Sequence, residues 1–468
     1  MSAAQPNLPQ RIHMVGIGGI GLSAIARILA AWGHDVSGSD LRTSEVTRGL
    51  NALGIRTYEG QRAEQVRGAE LVVVSSAVPE TNAEVIAARE AGIPVMKRHL
   101  LLGQMMSGSY GIAVAGTHGK TTTSAMIAVM LMELGLSPTF IVGGIVAQLR
   151  TNAQAGHGPH FVIEADEYDR TFHGLRPDIA VVTNVEMDHP DCYPDLASMR
   201  EAYATFLTRV PEGGWVVACA DSRQLTVTLC EAPAIRSRVV SYGRSETAHY
   251  QVSDVAPTAD GGTQFAVRRG GRMWTSCVLQ VPGDHNALNA TAALVVADLL
   301  GLDSVRAAEA LATYRGVDRR FQVKGQAAEV TVVDDYAHHP TEVRATLAAA
   351  RRRYPGRRLV VVFQPHTYSR TEALYEEFLD CFADADRVVI MDVYAARPRE
   401  VPTVSAKALA TAVHHSAAAY LGGADAVVEA LAHQLTRGDV LITLGAGDGY
   451  LVGERLLAIL SGDRDVVR

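Results

Sequence analysis

The stretch that decides the fold is IAVAGTHGKTTT, residues 112–123. Its apolar run ends at Ala115 and predicts a buried strand, and Lys120 and Thr121 begin a predicted helix after the loop Gly116–Gly119. Such a loop surrounds phosphates with backbone N–H groups, while the lysine neutralises the outer phosphates and the threonine hydroxyl can bind magnesium. The stretch therefore predicts a site for ATP and Mg²⁺.

This loop is shorter than the loop of ordinary P-loop GTPases and motors. Val114 stands where the full Walker pattern has its first glycine, five residues before Gly119. The sequence therefore favours the shortened form of the loop and disfavours a switch or a motor. The residues expected to contact ATP here are Gly116, Thr117, His118, Gly119, Lys120, Thr121 and Thr122.

A second glycine-rich stretch, GIGGIG at residues 16–21, follows the first predicted strand and opens a helix. Glycines at these positions let backbone N–H groups approach a phosphate at the positive end of the helix. An acidic residue at the end of the next strand is placed to contact a ribose or sugar hydroxyl. Taken alone the pattern favours NAD, and a tight turn without a ligand is the alternative. The expected substrate contacts are Gly16, Gly18, Gly19, Gly21 and Asp40.

Candidate metal ligands follow two further predicted strands. The run FVIEADEYD brings Glu164, Asp166 and Glu167 to one strand end, and AVVTNVEMDHPD brings Asp188 and His189 to another. Ligands collect at the carboxyl ends of strands in open α/β sheets, and Mg²⁺ prefers oxygen ligands together with phosphate oxygens. For each of these residues taken singly, the alternative to a metal ligand is a position in a solvated loop. The predicted metal set is Thr121, Glu164 and His189.

Further polar clusters lie beyond residue 284: the first opens a predicted amphipathic helix, and the last two follow apolar strands. Such residues are usually structural when they occur singly, but paired clusters predict a contribution to a site in a cleft. The clusters are His285, Asn286 and Asn289; Arg319 and Arg320; Asp335, Tyr336 and His338; and His366 and Arg370.

Length and composition exclude several classes of protein. The 468 residues exceed one ordinary core and suggest three domains, and 48% hydrophobic with 20% charged residues fits a globular enzyme. A net charge of −7 supplies no basic field for a nucleic acid. No secretory signal, long apolar run or Cys-x-x-Cys pair is present in the sequence, so we expect no membrane partner and a cytoplasmic location.

The alternation of β-branched runs with alanine-rich stretches predicts an α/β fold built from parallel sheets. We place the three domains at residues 1–107, 108–317 and 318–468. Between Trp215 and Val281 the strands become shorter and are separated by Gly and Pro, which predicts an antiparallel appendage on the central sheet.

The motifs GTHGKTTT, EADEYD, TNVEMDH, the His-Asn pair before ALNA, RRF and DDYAHHP together resemble the Mur ligase family over essentially the whole chain. The resemblance implies an N-terminal Rossmann-like domain for a UDP-sugar, a central P-loop ATPase domain and a C-terminal Rossmann-like domain. It implies that Asn286, Arg320 and Asp335 contact ATP, and that Tyr336, His338 and Arg370 lie near an amino-acid substrate.

Within the family, GIGGIGLSAIA, DDYAHHPTEV and FQPHTYSRT are similar to the member that adds L-alanine to UDP-N-acetylmuramate. An acyl phosphate would form and be attacked by the amine, with Lys120 and Arg320 neutralising charge and His338 as a candidate proton acceptor. Thr367 departs from the Arg that many such enzymes carry after the His of FQPH. We expect a monomer or a homodimer.

Three alternatives remain open from the residues. EADEYD also resembles the relative that attaches a recycled tripeptide to the same UDP-sugar. The family members that act later in the pathway resemble one another in carrying a carbamylated lysine in the central domain. Those enzymes are disfavoured here because no lysine lies between Lys120 and Lys324. An NAD-dependent dehydrogenase leaves GTHGKTTT without a purpose, and a P-loop switch ATPase leaves GIGGIG without one.

Overall fold

The computed structural model describes residues 6–75, 77–396 and 402–462. These residues form two compact units, which are described separately. The described residues of the first unit fall within Met1–Glu186, Leu196–Gln251 and Thr291–Ala310, and those of the second fall within Met187–Asp195, Val252–Ala290 and Leu311–Arg468.

The first unit begins with a parallel sheet whose strand order is β3-β2-β1-β4-β5. Its strands are β1 (Arg11–Val15), β2 (Asp35–Asp40), β3 (Arg56–Glu59), β4 (Leu71–Val74) and β5 (Val95–Lys97). Its helices are α1 (Ile20–Ala31), α2 (Glu45–Ala52), α3 (Ala83–Glu90) and α4 (Arg98–Met106). The side chains of Ser44 and Asn82 accept hydrogen bonds from first-turn N–H groups and so fix where α2 and α3 begin.

A second sheet of the first unit has the order β12-β11-β10-β6-β9-β7-β8 and is parallel except for the pair β7 and β8. Its strands are β6 (Tyr110–Ala115), β7 (Thr139–Val146), β8 (Thr151–Gln154), β9 (His160–Glu164), β10 (Ile179–Val182), β11 (Trp215–Cys219) and β12 (Arg238–Gly243). The helices that follow α4 are α5 (Lys120–Glu133), α6 (Leu196–Leu207), α7 (Arg223–Glu231), α8 (Asp284–Leu299) and α9 (Ser304–Leu311). This order places the carboxyl ends of β6 and β9 side by side, and these ends carry the loop Gly116–Gly119 and Glu164.

The second unit contains an antiparallel hairpin and a six-stranded sheet. The hairpin consists of β14 (Thr263–Arg269) and β15 (Arg272–Leu279), and it follows β13 (Tyr250–Pro257). The sheet has the order β16-β17-β21-β18-β19-β20 and is parallel apart from the pair β16 and β17. Its strands are β16 (Gln322–Ala327), β17 (Val330–Asp335), β18 (Leu359–Phe363), β19 (Arg387–Met391), β20 (Ala418–Gly422) and β21 (Val440–Leu444).

Helices cover both faces of this sheet, so that successive residues of one strand enter different cores. Val361 and Phe363 of β18 belong to one apolar cluster, whereas Val360 and Val362 belong to another. Side chains alternate between the two faces of a strand, and burial on both faces explains the unbroken apolar run of β18. The helices are α10 (Pro340–Arg353), α11 (Tyr368–Ala373), α12 (Tyr375–Leu379), α13 (Ala406–Ala412), α14 (Ala424–Ala432) and α15 (Tyr450–Leu460).

The expected α/β class with parallel sheets is confirmed, but the antiparallel appendage is smaller than predicted. β11 and β12 extend the parallel sheet, so the antiparallel part of the predicted appendage lies beyond β12 and includes the pair β14 and β15. The reason is α7, which begins after the cap Ser222 and supplies the crossover that a parallel neighbour needs. The helix that begins at Asp284 was predicted to be amphipathic, but Ala290–Ala297 is buried throughout.

No helix in the described parts of the chain is both long enough and apolar enough to span a lipid bilayer.

Candidate active site

The phosphate loop of the first unit joins β6 to α5, and glycine is required at both of its ends. Gly116 has φ +136° and Gly119 has φ +80°, and both values lie in the left-handed range that other residues rarely adopt. A Cβ atom at Gly116 would also collide with the hydroxyl of Thr183. The loop is anchored by Asn184, whose side-chain oxygen accepts a hydrogen bond from the N–H of His118 at 2.9 Å.

Lys120 lies at the start of α5 and turns back over the loop. Its Nζ donates to the carbonyl of Gly116 at 2.6 Å and to Oε1 of the buried Glu167 at 2.8 Å. Burial alone would lower the pKa of Lys120, but the carboxylates of Glu167 and Glu164 outweigh it and raise that pKa above its ordinary value. Lys120 is therefore a fixed positive charge at the place where the outer phosphates are expected.

Glu164, at the end of β9, is held by one side chain and one backbone group. Its Oε1 accepts from the hydroxyl of Thr121 at 3.0 Å, and its Oε2 accepts from the N–H of Gly143 at 2.6 Å. A Cβ at Gly143 would press on this carboxylate, so β7 approaches it closely only because residue 143 is glycine. Two of the three predicted metal ligands, Thr121 and Glu164, thus lie in contact.

Negative charge exceeds positive charge at this strand end. Glu164, Asp166 and Glu167 lie close to Lys120, while Arg98 forms a longer ion pair with Asp166 at 3.5 Å. Burial raises the pKa of Glu164 and of Asp166, and for Asp166 the charge of Glu167 adds to the effect. Carboxylates that are costly to ionise when buried would be stabilised by a further cation, so oxygen donors and charge both fit a divalent ion such as Mg²⁺.

The loop of residues 16–21 uses several of its own N–H groups internally. The N–H groups of Gly16 and Ile17 donate to the carbonyl of Ser39 at 2.8 and 3.0 Å. The N–H of Gly18 donates to Oδ2 of Asp40 at 2.8 Å, and a Cβ at Gly18 would crowd that carboxylate. The structure therefore places Asp40 against the loop itself, with its Oδ1 accepting from the N–H of the next residue.

The N–H groups open to a phosphate lie one turn further along. α1 starts after Gly19 and has no side-chain cap, so helix geometry leaves the N–H groups of Ile20 and Gly21 without intrahelical partners. Gly19 itself donates to the carbonyl of Gly16 at 3.1 Å. The N–H groups that this loop leaves open for a phosphate are therefore those of Ile20 and Gly21.

A cavity of about 240 Å³ lies beside α1 in the same unit. Its apolar lining includes Ile25 and Phe172, and its charged groups are Arg98, Glu164 and Asp166. It therefore runs from the first turn of α1 to the strand end that carries Glu164.

In the second unit, Asp335 ends β17 and is held by two backbone N–H groups. Its Oδ2 accepts from the N–H of Phe321 at 2.7 Å and its Oδ1 from that of Ala337 at 2.8 Å. Burial raises the pKa of Asp335 to about 6, an effect that the charge of Arg320 partly offsets. The guanidinium of Arg320 lies 5.0 Å from the ring centre of Tyr336, which brings these three predicted residues together.

His338 lies just before α10 and is fixed by its neighbours. Its Nδ1 lies 2.9 Å from the carbonyl of Tyr336, and its backbone N–H donates to Glu342 at 3.1 Å. Burial lowers the pKa of His338 to about 3, although Glu342 acts in the opposite direction. The imidazole is therefore neutral at pH 7 and can accept a proton, but only as a weak base.

Arg370 is buried, and its guanidinium already has partners. Its Nε donates to Oδ1 of Asp188 at 2.7 Å, its Nη1 lies 3.0 Å from Nδ1 of His366, and its Nη2 lies 3.4 Å from Nδ1 of His189. Burial alone would raise the pKa of Asp188, but Arg370 and then His189 hold it well below its usual range. The structure thus places Arg370 against the loop that carries His189. Thr367 caps the short helix α11 that carries Arg370, where its hydroxyl accepts from the N–H of Arg370.

Asn286 occupies the first turn of α8, as predicted, and is buried. Its Nδ2 donates to the carbonyl of Pro282 at 2.7 Å, and its Oδ1 accepts from Nδ2 of Asn289 at 3.2 Å. These bonds fix the orientation of its amide. Burial lowers the pKa of the neighbouring His285 to about 4.

The predicted residues therefore form two groups. Lys120, Thr121 and Glu164 are together in the first unit, whereas His189 lies in the second unit with Tyr336, His338 and Arg370. Sequence reasoning did not mention Arg98 and Glu342, and it named Glu167 only as part of an acidic run, outside the predicted metal set. Two of them had a signal in the sequence. Glu167 belongs to the run EADEYD, and Glu342 lies four residues after His338, the spacing at which side chains on a helix are neighbours. Arg98 had no motif to mark it.

Comparison with known proteins gives the same family along the whole chain. Three family profiles match in order: "Mur ligase family, catalytic domain" at residues 11–110, "Mur ligase middle domain" at 114–297 and "Mur ligase, glutamate ligase domain" at 319–447. The UDP-N-acetylmuramate--L-alanine ligase of Geobacter sp. (strain M21) is 43% identical over 97% of this chain and 99% of its own. The UDP-N-acetylmuramate--L-alanine ligase of Solibacter usitatus is 45% identical over 96% of this chain and 95% of its own.

A solved structure agrees with these sequence relatives. The UDP-N-acetylmuramate-alanine ligase of Thermotoga maritima superposes with a TM-score of 0.80 at 29% identity, covering 97% of this chain and all of the other. Profiles, relatives and fold all identify one group of proteins, and the chain belongs to the Mur ligase family.

Proposed function

We propose that the chain is an ATP-dependent ligase that joins L-alanine to UDP-N-acetylmuramate during peptidoglycan precursor synthesis. The observation that carries the proposal is the strand end of the first unit, where the ammonium of Lys120 and the oxygen atoms of Thr121 and Glu164 lie beside the cavity that reaches α1 and suit a phosphate and a cation. Relatives named for this reaction match almost the full chain, which supports the same substrates here.

The chemistry requires activation of a carboxylate, because amide formation from a free carboxylate is unfavourable in water. A carboxylate oxygen of the muramate attacks the γ-phosphorus of ATP, and ADP leaves. The amine of L-alanine then attacks the acyl carbon of this acyl phosphate, inorganic phosphate leaves, and the amine gives up a proton. Charge neutralisation by Lys120 and Arg320 and correct positioning supply most of the catalysis.

Magnesium is part of the proposal, with Thr121, Glu164 and His189 as the residues that would hold it. When bound, it would neutralise charge on the phosphates during transfer. Asn286 and Asp335 are proposed to contact ATP, and Tyr336, His338 and Arg370 to lie near the amino acid. The neutral imidazole of His338 is the proposed acceptor of the amine proton, with a pKa of about 3 that makes it a weak base.

The remaining elements of the proposal concern the whole protein. We place the sugar nucleotide on residues 1–107, ATP on 108–317 and the amino acid on 318–468. A cytoplasmic location, as a monomer or a homodimer, is proposed because ATP and the nucleotide precursor are cytoplasmic metabolites.

Phosphate release tests this function directly. We expect release only when ATP, Mg²⁺, UDP-N-acetylmuramate and L-alanine are all present, and omission of any one should reduce the rate to background. A full rate without the sugar nucleotide would instead indicate a switch ATPase, and a change in nicotinamide absorbance with NAD would indicate a dehydrogenase.

A further inference from the structure

The cavity beside α1 contains one basic side chain that the proposed mechanism has not used. Of the residues that line this cavity, Arg98 is the basic one, and it belongs to the same lining as Gly21, Gly143 and Glu164. A ligand that extends from the open N–H groups of α1 toward Glu164 would pass this guanidinium.

Arg98 is held in place but retains free donor capacity. Its side chain is 24% exposed, and its ion pair with Asp166 spans 3.5 Å, which is long for a hydrogen bond. Among the described residues, no shorter bond from its guanidinium is present. The guanidinium also packs directly on α1, because a Cβ at Gly21 would collide with its Nη1. The guanidinium has five N–H donors and lines the cavity, and its single ion pair leaves some of these donors available to a ligand.

On this basis, and resting on the function proposed above, we infer that Arg98 binds the lactyl carboxylate of UDP-N-acetylmuramate, the group that receives the phosphoryl. A carboxylate that enters this cavity meets Glu164 and Asp166 as well as the triphosphate, so it needs a cation nearby. The ammonium of Lys120 already forms an ion pair with Glu167. A guanidinium is suited to the task because it can donate two parallel hydrogen bonds to one carboxylate.

The ion pair with Asp166 links Arg98 to the strand end where phosphoryl transfer is proposed. The open N–H groups of Ile20 and Gly21 lie at the helix end and suit a diphosphate. Arg98 contacts α1 at Gly21 and pairs with Asp166, so its guanidinium lies between the helix end and the acidic residues that follow β9.

Binding of two sugar nucleotides to the full chain tests the inference. UDP-N-acetylglucosamine has the same diphosphate and amide but lacks the lactyl carboxylate. We expect Arg98→Met to weaken UDP-N-acetylmuramate binding about 10- to 100-fold, as for a lost charge-assisted bond, and to change UDP-N-acetylglucosamine binding less than twofold. Arg98→Lys should recover part of the loss. Arg89→Met is the matched control, since Arg89 forms an exposed pair with Glu80.

A glycine pair supplies a second, independent variant. Gly21→Ala should displace the guanidinium and reproduce the selective loss, whereas Gly49→Ala meets open space and should not. Equal weakening of both nucleotides by Arg98→Met, or no weakening of either, would overturn the assignment while leaving the proposed function intact. If the unmodified chain bound neither nucleotide, the function and this inference would both fail.

Discussion

At the scale of single residues, Lys120 and Glu167 form the charged pair beneath the phosphate loop. We expect Lys120→Met to lower kcat by about 10² or more, because it removes the charge that faces the transferred phosphoryl. The structure adds a second effect, because Glu167 is completely buried and would lose the ammonium that stabilises its charge. Loss of one partner of a buried pair costs about 3 kcal/mol or more, so the thermal midpoint should also fall by several degrees.

The double variant Lys120→Met with Glu167→Gln separates these effects. It removes both charges, so it should recover much of the thermal midpoint and none of the activity. Normal turnover by the single variant at saturating ATP would refute the role of Lys120 in phosphate binding.

Glu164 and His189 provide the residue-scale test of the metal site. Glu164→Gln and His189→Ala should each raise the Mg²⁺ concentration needed for half-maximal phosphate release, by about tenfold or more if each removes one ligand. The matched controls are Glu70→Gln, which alters a half-exposed pair with Arg11, and His414→Ala, which alters an exposed pair with Asp380. Magnesium titrations identical to those of the unmodified chain would remove both residues from the proposed site.

At the scale of elements, the turn from β17 into α10 fixes the protonation state of His338. The pKa of His338 in the folded protein is about 3 and lies below the value of about 6.5 in an unfolded chain. The unfolded state therefore binds the proton first as the pH falls, so stability is full at neutral pH and decreases below about pH 6.5.

The corresponding prediction is a flatter dependence of stability on pH in His338→Gln. The imidazole should account for a loss of roughly 2 kcal/mol between pH 7 and pH 5, which the variant lacks. Thermal midpoints of both proteins at several pH values measure it, with the exposed His414→Gln as the control. Parallel curves for His338→Gln and the unmodified chain would show that the imidazole does not titrate in this way.

Elements with an unambiguous pattern could be predicted from the sequence, and partly polar ones could not. Burial on both faces requires unbroken apolar runs, and such runs predict five strands with the bounds that the structure gives: β4 (Leu71–Val74), β10 (Ile179–Val182), β18 (Leu359–Phe363), β19 (Arg387–Met391) and β21 (Val440–Leu444). The edge strand β16 was missed because its sequence QVKGQA is polar, and α7 was missed because RQLTVTLCE is rich in β-branched residues. Both elements are stabilised by neighbours that a local pattern does not reveal.

The same reasoning applies to the site. Strand ends correctly brought Thr121 and Glu164 together, since β6 and β9 are neighbours in a parallel sheet. The ion pair of Arg370 with Asp188 joins residues 182 positions apart, and no spacing rule predicts it. Sequence therefore predicts which residues carry the chemistry, and that stays a prediction, while the structure shows which charges already neutralise one another.

At the scale of the whole molecule, the choice of amine distinguishes the proposed ligase from its tripeptide-recycling relative. We expect kcat/KM for L-alanine to exceed that for L-Ala-γ-D-Glu-diaminopimelate by about tenfold or more, since recognition of a carboxylate next to the amine contributes a charge-assisted bond. Competition between the two amines in one reaction, followed by product separation, measures the ratio directly. Preference for the tripeptide would favour the recycling reaction.

Gly143 has a consequence for inhibition of the enzyme. The backbone N–H of this residue orients Glu164, and neither a larger side chain at position 143 nor a different residue at 164 preserves that arrangement. An inhibitor that bonds to this N–H and this carboxylate would contact main chain and a proposed metal ligand. Single substitutions would then offer few routes to drug resistance, because those that exclude the inhibitor would also impair the enzyme.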